Sequence, residues 1–379
     1  MTLQKKLLFF CLLSCLGFNL FAQSIPQYEH VLIAVLENHG YSQMVGASSA
    51  PYINSLIADP NAATFTDAHG ISHPSQPNYL QLFSGSNQGV TDDNLPPNLP
   101  FTTCNLGSEL LTHGYTFAGY SEDLPSVGSN VETNANYARK HNPWVNWQDA
   151  SVNGIPASLN LPYTDFPADY STLPTLSFVI PNLANDMHDP PFLPTAISTG
   201  DAWVHDNLDS YVQWAKTHSS LFILTFDEDE YLENQRILTI FIGQHVMGGQ
   251  YNQNIDHYSV LRTLEDMYGL NLCQSSQTAT PITNCWTASA IGIEKIIKNP
   301  EKISITPNPV KGIFTLSCDD ISLVSKLTIT NSLGQLIQAD YEIVSKNTLQ
   351  VSTQNLPGGL YTLELSTKKG VQHSRFIAE

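Results

Sequence analysis

Near-continuous apolar runs recur through the first three quarters of the chain, each closing on polar residues. Val31-Leu32-Ile33-Ala34-Val35-Leu36 runs into Glu37-Asn38, Leu176–Ile180 into Pro181-Asn182, Leu221–Phe226 into Asp227-Glu228, and Leu238–Ile242 into Gly243. Unbroken aliphatic strands of this kind are buried on both faces, as in a parallel sheet. Helix-like stretches such as Ala202–Lys216 and Tyr258–Tyr268 alternate with them. The predicted class is therefore α/β, a mainly parallel sheet flanked by helices. In such sheets ligands collect beyond the carboxyl ends of the strands, where this chain carries acids and amides.

The period changes after Trp286. Residues 288–302 read as a linker, and 303–379 show short alternating stretches, among them Gly312–Leu316, Leu327–Thr330 and Leu360–Leu365. Turn residues at Asn331-Ser332-Leu333-Gly334 and Pro357-Gly358-Gly359 separate them, the pattern of a small all-β sandwich. At the other end, Lys5 and Lys6 precede an apolar run, Leu7–Leu16, and Ala22 supplies a small residue for cleavage, so residues 1–22 read as a signal peptide. No later stretch is long enough for a transmembrane helix, so the mature chain is expected to have no membrane-spanning segment. The expected layout is signal peptide 1–22, catalytic domain 23–287, linker 288–302 and C-terminal domain 303–379.

Charge narrows the partners. The chain carries 16 basic and 34 acidic side chains, and residues 23–299 alone hold 7 and 27. That excess repels a phosphate backbone, so nucleic acid is not an expected partner. Four cysteines remain after the signal, in an oxidising setting. Cys273 and Cys285 bracket a short polar loop and are the expected disulfide pair, with Cys104 and Cys318 left free.

Glu37-Asn38 and Asp227-Glu228 would bring carboxylates and an amide oxygen to one point, the chemistry of a hard divalent cation such as calcium or magnesium. Solvated loop acids are the plain alternative. Ser75, with Pro77 behind it, would open a helix, where the free N–H groups favour an anion and a nearby cation would activate the hydroxyl. As an N-cap it would do neither. His188, beside Asp186 and Asp189, and His257, beside Asp256, are candidates for holding phosphate or protonating a leaving oxygen. His69 and His73 could line the site by proximity to Ser75.

Glu37-Asn38, the run His73-Pro74-Ser75-Gln76-Pro77-Asn78-Tyr79, the Asn182–Asp189 segment, Phe226-Asp227-Glu228-Asp229 and Asp256-His257-Tyr258-Ser259 together resemble the bacterial and fungal phosphoesterase family. That family includes secreted acid phosphatases and phospholipases C within the alkaline phosphatase superfamily. The resemblance implies an alkaline phosphatase-like fold and a phosphorylated Ser75. It implies one divalent metal ion held by Glu37, Asn38, Ser75, Asp227 and Glu228, with His188 at the phosphate or leaving group and His257 as a further catalytic candidate. The second acid of the pair is commonly aspartate, so Glu228 departs from the pattern and leaves open whether Glu228 or Asp229 reaches the metal. The implied activity is hydrolysis of a small-molecule or lipid phosphomonoester, with phospholipase C or another phosphodiesterase, and a non-catalytic surface binding protein, as alternatives. The tail motifs Ile305–Val310, Ile329–Gln335 and Leu356–Tyr361 resemble the C-terminal sorting domain of the type IX secretion system. They imply that machinery as a partner and a destination outside the cell or on the outer-membrane surface.

Overall fold

The computed structural model describes residues 25–188, 194–287, 304–317, 324–331, 336–337, 341–353, 356–367 and 370–379. The expected signal peptide and linker, together with Asp189 and Cys318, lie outside the described residues. The chain divides into two compact units, Met1–Ala290 and Ile291–Glu379.

The first unit is built on β1 (His30–Leu36), β2 (Ala62–His69), β3 (Phe117–Ser121), β4 (Asn160–Pro162), β5 (Leu176–Ile180), β6 (Ser220–Phe226), β7 (Arg236–Gly243), β8 (Gly249–Tyr251) and β9 (Ile255–Asp256). These form one sheet in the order β8-β2-β7-β6-β1-β5-β3-β4, with β9 also on β2. Pairing is parallel except where β7 runs against β6 and β2. Val31–Leu36 are buried throughout, as their unbroken aliphatic run requires of a central strand. The helices are α1 (Tyr41–Met44), α2 (Pro51–Ile57), α3 (Ser75–Ser84), α4 (Leu106–Thr112), α5 (Pro194–Ala215) and α6 (His257–Tyr268). α2 packs on α5, and α3 on α6.

The second unit holds two four-stranded antiparallel sheets. Phe314, Leu316, Leu349 and Val351 from one meet Ile329, Leu363, Leu365 and Phe376 from the other in a single core, a small β-sandwich.

The disulfide differs from expectation. Cys104 is bonded to Cys273 across 169 residues, and Cys285 is a buried free thiol. Nearness along the chain misleads here because the two ends of the 273–285 loop are anchored apart. Cys273 N donates to Glu265 Oε1 of α6, and Ser275 N to the Gly85 carbonyl behind α3. The Cys285 carbonyl instead accepts from Met247 N, in the turn after β7.

Candidate active site

β1 lies between β5 and β6, so the loops leaving the carboxyl ends of all three strands meet. Two backbone bonds tie them: Glu37 N donates to the Asp186 carbonyl at 2.8 Å, and Asp227 N to the Leu36 carbonyl at 3.0 Å. Asn38 turns the chain there with φ +47°, a left-handed conformation that asparagine tolerates. β2 runs parallel to β6, so its end also faces this side, and the chain passes from it into α3. The ligand candidates from distant segments thus share one edge of the sheet.

Ser75 is the first residue of α3, and Pro74 occupies the N-cap position. The serine hydroxyl makes no cap. It donates to Glu37 Oε2 at 2.8 Å and lies 3.5 Å from both Asn38 Oδ1 and Glu228 Oε1. Asp93 Oδ1 accepts from Gln76 N at 3.0 Å, and Asn78 Oδ1 accepts from Ile71 N and Ser72 N, so side chains of α3 and of the segment after it hold the first turn and the loop before it. Asn78 Nδ2 reaches Glu228 Oε2 at 3.1 Å. The Tyr79 hydroxyl, one turn into α3, donates to Glu37 Oε1.

The acids around Ser75 are strongly buried. Glu37 and Asp227 are 0% and 1% exposed, and Glu228 4%. Burial pushes the Asp227 carboxyl well above the usual range, and the charges of Glu37 and Glu228 push it further. Burial raises Glu37 too, against Lys140, His188 and the bonds from Tyr79 and Ser75. Glu228, desolvated and facing Glu37, is pushed up to about 9. Burial and mutual repulsion of this kind disfavour the charged carboxylates, and a bound cation would offset both. Asp227 Oδ1 accepts from Asn38 N at 3.1 Å, whereas Oδ2 is buried with no hydrogen-bond partner. An orphaned buried carboxylate oxygen among oxygen donors is what a hard cation requires, so the residues present fit a divalent metal.

Glu228, rather than Asp229, is the acid beside Ser75. Asp229 accepts from Tyr231 N and Glu233 N and lies 3.1 Å from His73 Nε2. His73 Nδ1 is 3.0 Å from Glu228 Oε2, and its ring stacks on Tyr231. His69 pairs instead with Asp67. The His257 ring is taken up by the Asp227 backbone carbonyl at 2.6 Å, which fixes the backbone of that acid, and burial lowers the imidazole pKa. The His188 backbone N donates to Asp186 Oδ1, and its ring lies 6.0 Å from that of His141.

His141 is a member of the site that the sequence motifs did not point to. Its Nε2 is 3.3 Å from Glu37 Oε1 and its Nδ1 3.2 Å from Asp186 Oδ2, and these three residues can offer ligand atoms within 4.8 Å of one another. Burial, with Lys140 nearby, pushes its pKa well below the ordinary value, so the imidazole is neutral and able to coordinate. Lys140 beside it pairs with Asp93 at 2.8 Å. Burial works against the Lys140 charge, but Glu37 and Asp93 outweigh it and raise the pKa. One signal could have found this segment: Arg139-Lys140-His141 puts two of the seven basic residues of 23–299 side by side.

Residues 47–271 match the phosphoesterase family and residues 304–379 a secretion system C-terminal sorting domain. The chain is 47% identical over 273 residues to the phosphatidylinositol-3-phosphatase of Mycobacterium tuberculosis, covering 71% of this chain and 86% of that protein. It is 30% identical over 282 residues to a probable acid phosphatase of Kluyveromyces lactis, covering 68% of this chain and 64% of that one. Among solved structures, a protein of the alkaline phosphatase superfamily from Vibrio parahaemolyticus superposes with a TM-score of 0.48 at 11% identity, covering 86% of this chain and 83% of that one. The tail indicates type IX secretion to the cell surface or beyond, and no helix among the described residues is long and apolar enough to cross a membrane. A family match over more than half of the chain, and a relative of this identity over most of its own length, establish that the chain belongs to the phosphoesterase family, the hydrolases of phosphoric esters.

Proposed function

We propose that the protein is a divalent-metal-dependent phosphomonoesterase that works through a phosphoserine at Ser75. The observation that carries this is the Ser75 hydroxyl, 2.8 Å from Glu37 Oε2 and within 3.5 Å of Asn38 and Glu228, at the first turn of α3. Glu37, Asn38, Asp227 and Glu228, with Ser75 Oγ, would hold the metal, and this oxygen set suits calcium or magnesium. When bound there, the ion supplies positive charge to the phosphoryl oxygens and to the serine oxygen.

Ser75 Oγ attacks phosphorus, and its proton leaves toward Glu37 Oε2, the acceptor it already faces. The ester P–O bond breaks, and the departing oxygen takes a proton from His188. Lys140, within electrostatic reach of Glu37 and Asp227, neutralises part of the phosphate charge. His257 acts on this step through Asp227, whose carbonyl it holds. Water then cleaves the phosphoserine, releasing phosphate and restoring Ser75. The chain layout proposed with this is a signal peptide at 1–22, a catalytic domain at 23–287, a linker at 288–302 and a sorting domain at 303–379, giving a secreted or surface enzyme. The identity to a phosphatidylinositol-3-phosphatase favours a second reading of the substrate, a phosphorylated inositol lipid.

Purified protein is assayed with a phosphomonoester and a phosphodiester, after chelation and again with calcium or magnesium restored. Monoester hydrolysis is expected to vanish and return, and Ser75→Ala to remove it while metal content is kept. A Ser75→Ala rate within tenfold of the parent, or full activity after chelation, overturns the mechanism.

A further inference from the structure

Glu122 follows the last residue of β3 onto the edge of the sheet where the site lies. Its N–H donates to the Ile180 carbonyl at 3.0 Å, which carries the pairing of β3 with β5 one residue past the end of β3. The carboxylate reaches into the loop that leaves β5. Oε2 accepts from Asn182 N at 3.0 Å, Asn185 Nδ2 lies 3.0 and 2.9 Å from Oε1 and Oε2, and Oε1 accepts from Trp203 Nε1 of α5 at 3.1 Å. All three donors are neutral, so the carboxylate acts as a hub of hydrogen bonds. Two further contacts fasten the same loop. Asn182 Oδ1 accepts from Ala184 N and Asn185 N, which winds 182–185 into a turn. Gly200, one turn before Trp203 in α5, packs directly against the loop: an added Cβ would lie 2.9 Å from the Asn185 carbonyl and closer still to Met187.

Only Asp186 and Met187 separate this hub from His188. Met187 is buried with φ +80°, a left-handed conformation that a side chain of this size keeps only where its surroundings hold it. Asp186 Oδ1 accepts from His188 N at 2.8 Å. The direction in which His188 leaves the backbone is therefore set by residues 182–187, and Glu122 holds the start of that segment. We infer that Glu122 is the positioning residue of His188, holding the loop where the imidazole serves the departing oxygen of the ester. The inference rests on the reading of His188 as proton donor under the proposed mechanism. The arrangement calls for a carboxylate. Glutamine offers one acceptor oxygen where three donors converge on two, so either Asn182 N or Trp203 Nε1 would face an amide N–H group instead.

The test uses the full chain with its activating metal and compares kcat/KM for p-nitrophenyl phosphate and glycerol 2-phosphate. Nitrophenolate departs as the anion, whereas an alkoxide needs the proton, so a displaced proton donor slows the glycerol ester far more than the aryl ester. General-acid assistance is typically worth about 10²–10⁴-fold, and a misplaced imidazole keeps part of it. Glu122→Gln should therefore raise the aryl-to-alkyl ratio roughly 10- to 100-fold. His188→Asn should raise it at least as much, and adding Glu122→Gln to His188→Asn should raise it no further, because both act through one group. A role confined to folding lowers both rates together, so an unchanged ratio in Glu122→Gln overturns the inference. A further rise in the double variant also overturns it. Where Glu122→Gln does not fold, Trp203→Phe removes one donor from the same carboxylate and should move the ratio in the same direction; no movement there overturns the inference. No rise in His188→Asn overturns the reading of His188 itself and the inference with it, whereas a rise in His188→Asn without one in Glu122→Gln overturns the inference alone.

Discussion

Cutting the Cys104–Cys273 bond should destabilise the catalytic unit and leave its chemistry nearly untouched. The bond closes a loop with a sequence separation of 169, for which loop-closure entropy gives an upper figure of roughly 5 kcal/mol, and native disulfides commonly contribute about 2–5. At about 2 °C per kcal/mol for a unit of this size, Cys104→Ser should lower Tm by on the order of 4–10 °C. The effect reaches α3 from its far end. Gly85, the left-handed residue that ends α3, packs against the Cys273 carbonyl so closely that an added Cβ would lie 2.0 Å from it. Ser75 stands at the opposite end, ten residues away along the helix, or roughly 15 Å. Turnover at 25 °C should therefore stay within about twofold of the parent. The assay is a thermal melt of parent and Cys104→Ser, each with and without a thiol reductant. Reductant should lower the parent melt and leave the Cys104→Ser melt where it is. A further fall in the variant would mean that a different pair, such as Cys273–Cys285, carries the bond, and would refute the reasoning.

The carboxylates around Ser75 should make stability metal-dependent: at free calcium or magnesium a hundredfold above Kd, mass action adds about 2.7 kcal/mol. Asp227→Asn should abolish that rise in Tm, and an unchanged metal response in this variant would remove Asp227 from the ligand set. Burial pushes the Glu265 carboxyl up to about 7, so the folded state binds its proton more tightly than the unfolded chain. Stability from this group is accordingly lost as pH rises from the unfolded value of about 4.3 through 7, and is flat above it. Glu265→Gln keeps an acceptor for Cys273 N and should stabilise the protein at pH 8 by up to about 3 kcal/mol, with no gain at pH 4; a gain independent of pH would contradict the assignment.

What the sequence disclosed follows from how each element is coded. β1, β5 and β6 are aliphatic runs and stand out by composition. β2, Ala62–His69, carries small and polar residues and breaks register between Phe65 and Ala68, so it lacks both the run and the alternation of a strand. β3 contains Gly119, which ordinarily marks a turn. Here it lets Trp144 lie on the strand, since a Cβ would sit 2.1 Å from the indole. Glu37, Asn38, Ser75, Asp227 and Glu228 could be named from their motifs, but their convergence depends on β1 pairing with both β5 and β6, which is a long-range fact. His141 was hidden for a related reason: it sits on a short 3₁₀ turn in a segment that reads as a loop, and only the tertiary fold carries it to Glu37.

The distribution of partners among the buried acids explains where a cation would act. Glu37, Asp186, Asp227, Glu228, Asp229 and Glu230 are each at most 5% exposed, a density of negative charge that folding alone disfavours. The outer members are answered by the protein itself. Glu230 takes His39 and the Gly40 N–H, Asp229 takes His73 with Tyr231 N and Glu233 N, and Asp186 takes His188 N. Glu37, Asp227 and Glu228 receive hydrogen bonds from the neutral donors of Tyr79, Ser75, Asn38 and Asn78, which orient the carboxylates, while His141 lies beside Glu37 and His73 beside Glu228. Burial raises the pKa values of all three, and neighbouring carboxylate charges add to the rise at Asp227 and Glu228. Stability alone would favour amides or apolar residues at these three positions, because a well-packed neutral side chain costs less than a buried uncompensated charge. Acids stand at the positions that surround the Ser75 hydroxyl, and under the proposed mechanism their negative charge would hold a cation against that hydroxyl.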